Sequence, residues 1–167
     1  MSKAHKHRAP HPATKQEATA RTNLVSAQDG ADSIATRHYR WGWWSLLGFL
    51  TLGIVLESLH GFKLGWYLDV PNEIRRLMLT LGHAHGTLLS LVNIAFAATL
   101  GRFPLPDAAR VMASKCILAG SLLLPGGFIL GGIWIYDGDP GLGIVLVPGG
   151  AVFLLCGVFI TAKNLGK

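Results

Sequence analysis

The sequence predicts an all-α membrane protein, a four-helix transmembrane bundle with its N-terminus and C-terminus both cytoplasmic. Three observations lead there. Half of the 167 residues are apolar and 14% are charged, against about 25% charged in ordinary soluble proteins. The mean hydropathy is +0.40. The charges are also uneven: they crowd into the first forty residues and a few short stretches, leaving four long apolar blocks. This composition excludes a disordered chain and a coiled coil, and two cysteines are too few for a disulfide scaffold.

Residues 1–39 carry six Lys/Arg against Glu17, Asp29 and Asp32 and hold no apolar run. They read as a disordered basic cytoplasmic tail rather than a cleavable signal. His5, His7 and His11 are spaced for weak metal chelation, but a flexible tail offers no fixed geometry. No aromatic residue interleaves the charges before Tyr39, so no nucleic acid is expected as a partner.

The transmembrane domain is expected over 40–163, with helices at about 41–62, 74–101, 109–136 and 141–162. Each is long enough at ~1.5 Å per residue to cross about 30 Å of hydrocarbon. None alternates as a barrel strand does. Twelve of the fifteen Lys and Arg fall on the side of the termini; only Lys63, Arg75 and Arg76 fall on the other. The positive-inside rule then puts both termini in the cytoplasm of a multi-pass inner (plasma) membrane protein. Trp41, Trp43 and Trp44 form one aromatic belt, and Trp66, Tyr67, Trp134 and Tyr136 the other.

Helix one ends near His60, with Glu57 three residues earlier on the same face. A carboxylate inside a span is expensive and calls for a partner or a task. Helix two follows Pro71 and carries Gly82-His83-Ala84-His85-Gly86. Successive residues turn by ~100°, so the two histidines point about 160° apart. His83 shares a polar stripe with Arg76, Thr80, Thr87 and Ser90 and is the interior ligand. His85 faces another helix, a second partner or a cofactor edge. Gly82 and Gly86 let a neighbouring helix or a flat ring approach the backbone, and Asn93 lies on about that side.

Helices three and four share an echo, Leu124-Pro125-Gly126-Gly127 and Val147-Pro148-Gly149-Gly150. A proline frees the carbonyl four residues earlier, and such breaks border sites in membrane bundles. Depth puts these features in the outer half of the bilayer. The expected pocket there is lined by Gly82, Gly86, Pro125, Gly126, Pro148 and Gly149, with Asp137 and Asp139 at its rim in a tight turn. Its binding residues are His83, His85, His60 and Glu57. Cys116 and Cys156 read as small apolar residues near the inner helix ends. No nucleotide-binding or hydrolase motif is present, and no catalytic residue can be named.

The block Gly82-His83-Ala84-His85-Gly86-Thr87-Leu88-Leu89, after Arg75 and Arg76, resembles the haem-binding helix of haem–copper oxidase subunit I and its nitric oxide reductase-like members. It covers about twenty residues. The resemblance implies a bundle holding haem with His83 or His85 as axial ligand. The chain departs from that family in having four spans rather than about twelve and no second histidine-rich helix. His60 or another subunit would have to supply a second ligand. The PGG echoes resemble an uncharacterised bacterial four-helix family.

The functional expectation is an outer-half pocket binding haem, a metal ion or a quinone-like molecule for electron transfer. Two alternatives stand beside it. One is a non-catalytic assembly protein that docks a membrane partner or a second copy through its glycines and histidines. The other is a path for protons or small solutes with Glu57 and the histidines as relays.

Overall fold

A computed structural model describes residues 15–68 and 73–165. The chain forms α1 (Lys15–Gly61), α2 (Ile74–Arg102) and α3 (Asp107–Ile133). A two-stranded hairpin follows, β1 (Ile135–Tyr136) and β2 (Asp139–Pro140). A 3-10 turn (Leu142–Val145) then leads into α4 (Leu146–Asn164). Four segments are long and apolar enough to cross a membrane: Asp32–Gly61, Ile74–Arg102, Asp107–Ile133 and Leu142–Asn164. The expected all-α, four-helix architecture is the observed one.

The N-terminal region differs from expectation. Disorder through residue 39 does not hold, because α1 is already helical at Lys15 and runs for 47 residues. That is about 70 Å, more than twice the hydrocarbon thickness. The segment after Pro12 has no proline and is rich in alanine. A helix nucleated in the membrane propagates back through such residues at little cost. The spaced histidines His5, His7 and His11 lie outside the described residues.

Helix ends follow local chemistry. At the end of α1, Lys63 takes φ 52°. Its N–H donates to the His60 carbonyl, and the Leu64 N–H donates to the Leu59 carbonyl. This is a Schellman motif with lysine where glycine is usual. The Asp137-Gly138 pair has φ 47° and 90°, the geometry of a two-residue I′ hairpin turn. It stops α3 at Ile133 rather than 136. Pro148 does not break the middle of a helix. It stands third in α4, after the 3-10 turn, in the first turn where a missing N–H costs nothing.

The helices pack in chain order: α1 on α2, α2 on α3, α3 on α4. α1 touches α3 lightly, and α1 and α4 make no substantial contact. The apolar windows of α2 and α3 are accordingly 33% and 44% buried, against 11% for α1 and α4. The outer two helices leave their apolar faces for lipid.

Glycines set the closest approach between α3 and α4. A Cβ at Gly150 would stand 2.6 Å from the Leu124 backbone nitrogen, and one at Gly127 would stand 2.9 Å from the Gly143 carbonyl. The third residue of each PGG echo is therefore the packing residue. One apolar cluster, Leu56, Tyr67 and Leu79, closes the end of the molecule that holds Glu57. Another, Phe96, Ala113 and Ile117, closes the opposite end, which holds His38.

Candidate functional site

A cavity of about 670 Å³ opens at the Glu57 end. The last turns of α1 contribute Leu56, Glu57 and His60 to it. The start of α2 contributes Ile74, Arg76, Leu77 and Thr80, preceded by Glu73. Tyr67 enters from the connection and Gly138 from the hairpin tip. Spacing explains the convergence: Glu57 and His60 are three apart on α1, Arg76 and Thr80 four apart on α2. Arg76 pairs with Glu73 at 3.0 Å, which engages one of its five N–H donors. No hydrogen bond or ion pair engages the side chain of Glu57 or His60 among the described residues. The site thus joins apolar walls to two carboxylates, a guanidinium and an imidazole. Beside it, Arg75 lies 4.6 Å over the Trp66 ring and donates to the Trp66 carbonyl at 2.7 Å. That contact fastens the connection to α2.

The structure brings Glu57 and His60 together in this cavity and leaves His83 and His85 out of its lining. The His83 Nδ1–H donates to the Phe49 carbonyl of α1 at 2.8 Å. Its ring fills the space beside Gly53, where a Cβ would stand 2.5 Å from Cε1. The His85 Nδ1–H donates one turn back to the Leu81 carbonyl, at 2.8 Å. Its ring lies 5.0 Å from that of Phe128 on α3. The two histidines therefore face different helices, as their angular separation requires. In each neutral ring the lone pair sits on Nε2, the state a metal ligand has when its other nitrogen donates to a carbonyl. Among the described residues no group of three or more His, Cys, Asp or Glu side chains stands together to hold a metal ion.

The six residues expected to line the pocket lie in helix contacts or open space. Gly82 meets Ile129 and the Pro125 carbonyl of α3, and Gly86 meets the Phe49 ring of α1. Pro125 is buried inside α3. Nothing stands within 4 Å of a Cβ placed at Gly126 or Gly149, and Pro148 is exposed. Asp137 and Asp139 are exposed in the turn, of which Gly138 alone reaches the cavity. Both cysteines are free, Cys116 buried and Cys156 exposed.

Sequence reasoning missed a buried polar network centred on His38. His38 of α1 is fully buried. Its Nδ1–H donates to Asn93 Oδ1 of α2 at 2.7 Å. Its Nε2 accepts from Ser114 Oγ of α3 at 2.9 Å. Ser114 Oγ accepts in turn from the Arg37 guanidinium at 2.7 Å, and Asn93 Nδ2 donates to the Leu89 carbonyl at 2.8 Å. The chain of bonds runs in one direction with a neutral ring at its centre, and it ties three helices. The available signal was Asn93: an amide in an uncharged span demands a partner.

No family model, curated protein or solved structure matches this chain.

Proposed function

We propose that this multi-pass membrane protein binds a small amphipathic ligand of the quinone type in the Glu57-end cavity. The observation that carries the proposal is the cavity itself. Its 670 Å³ falls within the roughly 300–1,000 Å³ of small-molecule sites. Its apolar walls, Leu56, Ile74 and Leu77, lead to polar groups of both proton-donating and proton-accepting character. Arg76, with N–H groups beyond the one on Glu73, and His60 donate to the carbonyl oxygens of such a headgroup. Glu57 and His60 exchange protons with it. A bound quinone supplies two-electron, two-proton chemistry; the electrons come from a partner's redox centre. The chain's residues orient the headgroup and handle its protons.

The full-length protein in nanodiscs tests this by titration with a short-chain quinone analogue, read as quenching of tryptophan fluorescence. Saturable binding is expected, weakened about ten-fold or more by Arg76→Ala or His60→Ala, since a hydrogen bond to a charged group is worth about 1.5–3 kcal/mol. Absence of saturation, or wild-type affinity in both variants, sinks the reading. A Soret band in the purified protein that disappears in His85→Ala would instead transfer the ligand to the haem class and to α2.

A further inference from the structure

At the opposite end of the molecule a groove of about 620 Å³ runs along α1, lined by Ser33, Thr36, Arg37, Arg40, Trp41 and Trp44. We propose that it is a site for the phosphodiester headgroup of an anionic phospholipid. Steps of three, one, three, one and three residues put all six side chains on one helix face. The lining holds two guanidiniums and no carboxylate. Neither arginine is in an ion pair among the described residues. The groove therefore presents uncompensated positive charge, with hydroxyl donors beside it.

Two further observations select a lipid phosphate. Trp41 and Trp44 are 39% and 72% exposed, which suits amphipathic rings at headgroup depth next to acyl chains. A free anion has no use for such a wall. Arg37 is also held in place: one terminal nitrogen donates to Ser114 Oγ, itself bonded to buried His38. The remaining donors of its planar fork stay available, and a fixed guanidinium matches phosphate oxygens at a smaller entropic cost than a swinging one. A headgroup on Arg37 thus bears on the junction of α1 with α3, where the two helices otherwise touch little.

The test uses the full chain in phosphatidylcholine nanodiscs, with spin-labelled phosphatidylglycerol as the probe and labelled phosphatidylcholine as the reference. Wild type is expected to prefer the anionic lipid. Arg40→Ala should lower that preference about five-fold, the equivalent of ~1 kcal/mol for one basic residue at the surface. Arg102→Ala, an equal charge change at the same end of the molecule, should leave it unchanged, and Arg40→Lys should restore most of it. Equal losses from Arg40→Ala and Arg102→Ala would reduce the groove to a general surface field and overturn the site. Full displacement of the probe by inorganic phosphate would overturn the lipid assignment in favour of a free anion. Circular dichroism and gel filtration of each variant keep a folding defect from passing as lost binding, and Arg40→Gln, compared with Arg102→Gln, carries the test if the alanine variant unfolds.

Discussion

The two ends of the molecule treat polar side chains in opposite ways. At the His38 end, Arg37, Ser114, His38, Asn93 and the Leu89 carbonyl form one run of hydrogen bonds across three helices. His38 and Ser114 are sealed from the surroundings. At the Glu57 end, the side chains of Glu57 and His60 stand around open space and are exposed. The buried His38 and Ser114 have little bonding capacity left for a ligand, so their role is to hold helices together, while Arg37 at the edge of the run keeps free donors. Groups that keep their capacity beside a cavity are the ones able to bind something else. A histidine in a span is therefore informative only once its partners are known.

The largest test of this contrast is His38→Ala. It removes a buried ring that also packs 4.7 Å from Phe96 and leaves Asn93 Oδ1 without its donor and the Ser114 O–H without its acceptor. A loss of about 4 kcal/mol is expected, from the cavity and the orphaned polar groups together. Denaturant titration in mixed micelles measures it, and a loss below ~1 kcal/mol would mean that the network is incidental. Gly150→Ala comes next. Its Cβ would meet Leu124 backbone, which no side-chain rotation relieves, so about 2 kcal/mol should be lost in the same titration.

Lys63→Gly works in the opposite direction. It removes a left-handed non-glycine residue at the α1 C-terminus and should stabilise by roughly 1 kcal/mol. A loss would show that the lysine side chain makes up for its backbone strain. The smallest stability effect belongs to Arg76→Ala. Its ion pair with Glu73 is solvent-exposed, so less than ~1 kcal/mol should be lost while quinone-analogue affinity falls. If Arg76→Ala destabilised as much as His38→Ala, the two ends would not differ in the way described.

Much of the scaffold was legible because each feature depends on neighbours in the chain. The four spans, the face shared by Glu57 and His60, the divergence of His83 and His85 and the Asp137-Gly138 turn all follow from local spacing or turn chemistry. Depth alone placed the expected pocket, and depth does not fix which residues face one another. Equal depth does not mean equal direction: Gly82 turns to α3, Gly86 to α1, and Pro148 and Gly149 to the outside. His38 was hidden for a different reason. It sits between Arg37 and Tyr39, where the chain reads as a solvated tail, and nothing local marks it as buried.

Hydrocarbon thickness and the cost of an unsatisfied backbone act on each segment separately, so the sequence by itself determined the number, length and helical nature of the spans. The tertiary structure alone decided which polar groups meet. His38 finds Asn93 and Ser114 across 55 and 76 residues of chain. Such pairings depend on the rotation and neighbour of each helix, and those are set by how the glycine and side-chain surfaces of whole helices fit one another.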